Sequence, residues 1–203
     1  MAMASSNTTS NIETFPAEAA AASSGGGGAP AVNGVQVAFR LSTVNYKSLK
    51  FVIMDRPTND NLPSYLLNLK RAGVTALVRV DGTKKNEACV CEPTYDTDLL
   101  IKAGISVHEL PFEDGQSPPK DVISKWRAVV KTNEASGGCV AIHCVAGLGR
   151  APVMVAIALI NKGLDFTAAA ELIRKERKGA LNKKQLDFLR SYKSPSPSTC
   201  IIL

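Results

Sequence analysis

One cysteine and one arginine, six positions apart, frame the run His143-Cys144-Val145-Ala146-Gly147-Leu148-Gly149-Arg150. A thiolate is a strong nucleophile, and a guanidinium is a planar fork that holds two phosphate oxygens at once. Two glycines between them let the backbone turn so that successive N–H groups point inward, which makes a nest for an anion. Together these residue types suit attack on a phosphate ester, with Cys144 as nucleophile and Arg150 stabilising the phosphoryl group in transfer. The loop Val145, Ala146, Gly147, Leu148, Gly149 and Arg150 would hold the phosphate. His143 reads as a residue that fixes the loop through hydrogen bonds, or alternatively as a satisfied core histidine.

The flanking elements must present that loop. Cys139-Val140-Ala141-Ile142 is short, apolar and β-branched, whereas Ala151 to Ile160 is an apolar run long enough for a buried helix and too short to cross a bilayer. A strand therefore enters the loop and a helix leaves it, adding its positive N-terminal end to the anion site. The same field should favour the thiolate, the nucleophilic form. Pro152 suits the first helical turn, where its missing N–H costs nothing.

A thiolate that displaces an alkoxide or phenolate needs an acid for the leaving oxygen. Pro111-Phe112-Glu113-Asp114-Gly115 follows an alternating apolar strand and precedes the turn-rich Gln116-Ser117-Pro118-Pro119. Alone it would be an ordinary acidic surface turn. Paired with the cysteine loop, 30 residues downstream of Asp114, it reads as a hinged acid loop.

With these residues the chain resembles the phosphatase of regenerating liver (PRL) family, prenylated enzymes of the dual-specificity type. The resemblance runs from about Val35 to Tyr192. It rests on Phe51-Val52-Ile53 leading to Arg56-Pro57-Thr58-Asn59, on Gly73-Val74-Thr75 with Val78-Arg79-Val80, on Cys91-Glu92-Pro93-Thr94-Tyr95-Asp96-Thr97, on Pro111 to Gly115, and on Ile142 to Val153. It implies Cys144 as nucleophile, Arg150 as phosphate clamp, Asp114 as general acid, and a reversible disulfide between Cys91 and Cys144. It implies no cofactor, and the residues suggest no metal site: with two histidines, Cys89 and Cys91 have no second close thiol pair to complete a tetrahedron.

Two departures from the family stand out. Glu113 occupies a position where relatives usually carry Asp, and the stretch Asp81 to Val90 is longer than usual, reading as a polar inserted hairpin or loop. The insertion brings Cys89 within two residues of Cys91, so either could face Cys144; the Glu-Pro-Thr-Tyr-Asp that follows favours Cys91. Ala151 also matters. Most phosphatases with this loop carry Ser or Thr after the arginine, and an alanine cannot steady the departing thiolate, so a slowly hydrolysed phosphocysteine is expected. Apolar Val145, Ala146 and Leu148 match phosphotyrosine or an inserted protein side chain better than a highly charged phosphoinositide, whose hydrolysis stays open as an alternative.

Cys200-Ile201-Ile202-Leu203 has the pattern of a prenylation box, with Leu favouring geranylgeranyl, after the extended tether Ser194 to Thr199. One lipid binds a membrane only marginally. The net charge is +6, and Arg174 to Lys193 holds eight Lys and Arg against Glu176 and Asp187, so an anionic membrane surface is an expected partner, with a plain solvated face as the alternative. Aromatic residues are 5% of the chain and no basic stripe interleaves with them, which argues against nucleic acid. Residues 1–34 are rich in Ala, Ser, Gly and Thr, contain no Lys or Arg, and are expected to be disordered. They show no signal-peptide pattern, so synthesis in the cytosol and attachment to the cytoplasmic face of the plasma or endosomal membranes are expected, with free thiols by default.

The expected organisation is therefore an extension (1–34), a phosphatase domain (35–193) and a tail (194–203). Strands are expected near 36–45, 50–54, 74–80, 105–110 and 139–143, and helices at 62–72, 97–103 and 120–134 with three more after the loop. Leu62, Tyr65, Leu66 and Leu69 give the first helix an apolar face, Asn61 can cap its start, and Gly73 closes it. Alternation of this kind predicts an α/β fold, a mostly parallel sheet with helices on both faces and the active loop at a strand's C-terminal end. Two functional classes follow: a protein tyrosine phosphatase acting on phosphoproteins, or, as the resemblance implies, a binding regulator of CNNM-type magnesium transport proteins through the same pocket. The resemblance also implies a possible homotrimer.

Overall fold

The computed structural model describes residues 40–85, 88–90 and 94–194, with backbone alone at 83–85, 88 and 89. Residues 1–34, Cys91 and Cys200 lie outside the described residues, so the expected N-terminal disorder, the disulfide and the lipidation site have no structural counterpart here.

Five strands form the main sheet: β1 (Ser42–Tyr46), β2 (Leu49–Met54), β3 (Val74–Arg79), β6 (Ser106–Glu109) and β7 (Cys139–His143). Their order is β1-β2-β7-β3-β6. β1 pairs antiparallel with β2 through a tight turn in which Lys47 has φ 52°, and the other three pairings are parallel. The first strand was expected near 36–45; it starts at Ser42 and runs to Tyr46, because the alternation that the core uses is Val44 inward between exposed Thr43 and Asn45. The insertion forms its own two-stranded hairpin, β4 (Thr83–Lys85) and β5 (Ala88–Val90).

Helices cover both faces. α1 (Leu62–Arg71) and α2 (Asp98–Lys102) lie on one side, where Leu62, Tyr65, Leu69 and Leu100 pack with Val52, Leu77 and Ala141. α3 (Lys120–Ala135), α4 (Arg150–Asn161), α5 (Phe166–Glu176) and α6 (Lys183–Ser191) lie on the other. α4 is buried from Arg150 to Leu159, as an apolar helix sandwiched between a sheet and other helices must be. Trp126 of α3 is fully buried and donates its indole N–H to the carbonyl of Met154, 2.7 Å away. Asn61 does not cap α1 with its side chain. That carboxamide accepts instead from the Thr58 N–H at 2.8 Å, tying down the loop before the helix. Gly73 ends α1 with φ 68°, as expected.

The parallel register decides where chemistry can occur. Met54, His143, Arg79 and Glu109 stand side by side at the last paired positions of four strands. The loops that follow, from Asp55, Cys144, Val80 and Leu110, therefore emerge on one edge of the sheet, with the Cys144 loop between two others.

Candidate active site

Cys144 follows directly on β7 and is 4% exposed. The loop after it turns at Gly147, whose φ of 65° suits glycine and where a Cβ would lie 2.4 Å from the Met54 carbonyl and 2.5 Å from Arg177 Nη2. Three carbonyls of the loop are engaged from outside. The Arg56 N–H reaches Val145 O at 3.0 Å, Arg177 Nη2 reaches Ala146 O at 2.8 Å, and the Leu181 N–H reaches Leu148 O at 2.9 Å. Among the described residues no N–H from Val145 to Gly149 donates to another backbone group. With its carbonyls held outward and the N-terminus of α4 beginning at Arg150, the loop presents donors to an anion.

Arg150 is buried beside it. Its Nη1 donates to Gly82 O and to Phe112 O, each at 3.2 Å. Its Nε lies 3.1 Å from Asp114 Oδ1, an ion pair without the alignment of a hydrogen bond. The two residues that sequence placed on separate loops thus meet beside the Cys144 loop. The Asp114 side chain remains 77% exposed, and its Oδ1 also accepts from the Gly115 N–H at 3.0 Å. Glu113, the other carboxylate of that loop, is exposed. Lys184 of α6 steadies the far end of the loop by a 2.9 Å bond to Gln116.

His143 is fully buried, and burial pushes its pKa down to about 4, with the nearby Arg79 and Arg56 acting in the same direction against Asp81 and the Cys144 carbonyl. It is a neutral imidazole. Its Nδ1 lies 3.3 Å from Cys144 O and 3.4 Å from Asp81 Oδ1, and its Nε2 is 2.6 Å from the Tyr95 hydroxyl. Nδ1 faces only acceptors, which assigns the proton to Nδ1 and makes Nε2 the acceptor from Tyr95. Ala151 is fully buried at the start of α4. Val145 is 49% exposed and gives the mouth an apolar lip.

The sequence reading missed Arg177, Asp81 and Tyr95. Arg177 sits in the basic stretch read as a membrane-facing or plain solvated surface, yet it is 5% exposed and holds the Cys144 loop through the Ala146 carbonyl. Its nearest neighbour in that stretch with a similar fate is Arg174, which bonds Ala180 O and Leu181 O. Only tertiary contacts separate these two from the outward cations. Cys89 offers no side-chain geometry and Cys91 lies outside the described residues, so the disulfide partner stays as the sequence left it.

A family model described as "Polymorphic toxin system, DSP-PTPase phosphatase" matches residues 53–164. The chain is 48% identical over 152 residues to the PRL-1 phosphatase of Drosophila melanogaster, covering 74% of this chain and 81% of that one. The chain belongs to the PRL, or type IVA, family of protein tyrosine phosphatases. Other PRL relatives include the human protein tyrosine phosphatase type IVA 3, 47% identical over 152 residues, covering 74% of this chain and 82% of that one. A probable type IVA A phosphatase of Dictyostelium discoideum is 44% identical, covering 80% and 93%. Among solved structures, a putative protein tyrosine phosphatase from Leishmania major shares 36% identity at a TM-score of 0.64, covering 77% of this chain and 99% of that one. This PRL chain is thus a cysteine-dependent protein tyrosine phosphatase on a single α/β domain, as the motif and the alternation of elements predicted.

Proposed function

We propose that this chain hydrolyses phosphotyrosine through a phosphocysteine on Cys144. The observation that carries the reading is the meeting of Arg150 and Asp114 at 3.1 Å beside a loop that begins at the buried Cys144 thiol and whose N–H groups make no backbone hydrogen bond among the described residues. The loop N–H groups and the Arg150 fork bind the three non-bridging oxygens. The Cys144 thiolate forms a bond to phosphorus as the phosphorus–oxygen bond to the tyrosine breaks, and the Asp114 carboxyl gives its proton to that oxygen. Water then attacks the phosphocysteine, Asp114 takes its proton, and the sulfur leaves as thiolate. Ala151 offers no hydroxyl to the leaving sulfur, so this second step limits turnover.

Pre-steady-state kinetics with an aryl phosphate test this. Wild type should give a burst followed by slow turnover, Cys144→Ser no burst, and Ala151→Ser a faster slow phase. Absence of a Cys144-dependent burst in reduced protein would instead support a binding role, with the apolar lip at Val145 receiving a side chain from a partner such as a CNNM-type transporter. A phosphoinositide substrate would show as faster turnover of that lipid than of phosphotyrosine peptide.

Three further assignments belong to the same proposal. Cys200 carries a geranylgeranyl group and, with the outward cations of the C-terminal helices, attaches the enzyme to anionic membranes. Cys91 forms a bridge to Cys144 on oxidation; Cys91→Ser should abolish it under peroxide, and a surviving bridge would implicate Cys89. A homotrimer would appear as a threefold mass in light scattering of the full chain.

A further inference from the structure

The backbone that links β3 to the β4–β5 hairpin touches both halves of the site. Gly82 O and Phe112 O each accept from Arg150 Nη1, so the two hydrogens of that nitrogen are tied to the hairpin root and to the acid loop. A guanidinium fixed at Nη1 has its plane fixed, which leaves the edge formed by Nη2 and by Nε, the nitrogen 3.1 Å from Asp114 Oδ1. Nη2 has no protein partner among the described residues. That edge is the one that can grip two phosphate oxygens.

Gly82 is itself clamped. A Cβ there would lie 2.4 Å from Val90 O and 2.6 Å from Pro111 Cβ, so the returning strand of the hairpin and the start of the acid loop close on it from two sides. One residue earlier, Asp81 is fully buried, with Oδ2 3.1 Å from Arg56 Nη1 and Oδ1 3.4 Å from His143 Nδ1. The Arg56 N–H in turn holds Val145 O of the phosphate loop. A buried carboxylate is costly unless it is paired, so this one pins the hairpin root to a fixed place.

We infer that Asp81-Gly82 is a positioning element for Arg150: the Gly82 carbonyl orients the guanidinium, and buried Asp81 anchors that carbonyl against Arg56 and the end of β7. The hairpin is then part of the catalytic frame, not a loop appended to it. The inference rests on the proposed role of Arg150 as phosphate clamp.

The test compares Gly82→Ala, Asp81→Asn and Arg150→Lys in the full chain. Three quantities are read: competitive inhibition by inorganic phosphate, kcat/KM for an aryl phosphate, and the rate of Cys144 alkylation by neutral iodoacetamide, which needs the thiolate but no anion grip. Gly82→Ala should weaken phosphate inhibition by about tenfold, the loss expected when one hydrogen bond to a charged group is misdirected. Alkylation should stay within about twofold of wild type on the same reasoning, since no bond to the thiol changes. Asp81→Asn keeps the side-chain shape and should shift phosphate inhibition in the same direction by a smaller factor; it decides the matter if Gly82→Ala fails to fold. Unchanged phosphate inhibition in the variants, or alkylation that accelerates in step with its loss, would overturn the inference. Full phosphate inhibition in Arg150→Lys would instead overturn the clamp itself.

Discussion

Arg177 Nη2 donates to the carbonyl of Ala146 across 2.8 Å, joining the C-terminal end of α5 to the middle of the phosphate loop. The other nitrogen, Nη1, reaches Arg40 O at 2.6 Å, Ser42 Oγ at 3.4 Å and Ile53 O at 3.3 Å, so one side chain links β1 and the residue before it, β2 and the loop. Burial lowers its pKa from the ordinary arginine value, opposed by the nearby Asp55 carboxylate. Arg177→Lys keeps a cation but loses the fork. It should cost roughly 3 kcal/mol of stability, since several buried carbonyls lose their donor. Urea denaturation measures that, and kcat/KM should fall with it; a variant as stable and active as wild type would mean that the loop holds its shape without support from α5.

Asp114 reaches Arg150 from an exposed loop, so removing it leaves the fold intact. Asp114→Ala should slow the burst phase by about 10²–10⁴-fold, the usual contribution of a positioned acid. Unchanged burst kinetics would remove Asp114 from the proton transfer.

Tyr95 supplies the donor for His143 Nε2 at 2.6 Å. Tyr95→Phe leaves that nitrogen buried and unsatisfied, at a cost of about 1–3 kcal/mol. The midpoint of urea unfolding should drop accordingly, and equal midpoints would mean that another donor takes the place of the phenol.

The neutral state of His143 makes stability depend on pH. The folded protein keeps it unprotonated down to about pH 4, whereas the unfolded chain takes up a proton near the ordinary value of 6.5. Between those values the unfolded state binds more protons, so its contribution is complete above pH 6.5 and is lost as pH falls towards 4. The loss is on the order of 3 kcal/mol. Urea midpoints measured between pH 4.5 and 7, a range set about that window, should decline on acidification; a flat profile would show that the folded protein accepts the proton.

Cys139 opens the strand that ends just before Cys144, five residues on, and burial pushes its thiol up to about 11, against a small opposing effect of Lys50. At pH 8 the thiolate is on the order of one part in a thousand. Peptide mapping after alkylation of folded protein at that pH, set on the order of three units below the thiol's own pKa, should find Cys139 unmodified, and labelling as fast as at Cys144 would contradict its burial.

Local sequence determined much of this protein by itself. The short, β-branched apolar run before Cys144 pointed to an interior strand and the longer one after Arg150 to a buried helix, length and residue type deciding where periodicity alone does not. Glycine at 147 announced a turn, and the loop that brings Asp114 to Arg150 was legible from its turn residues. Family resemblance then carried the assignment of roles. What the tertiary structure alone decided lies in residues whose type is common and whose meaning is positional. Arg177 is one cation among eight until α5 folds it under the phosphate loop. Asp81 is a polar residue in an inserted loop until the parallel register brings Arg79 beside His143 and buries the carboxylate two residues on against the imidazole. Local propensity acts over a few residues, whereas these contacts span 25 to 137 positions of sequence, and only the packed sheet closes such distances.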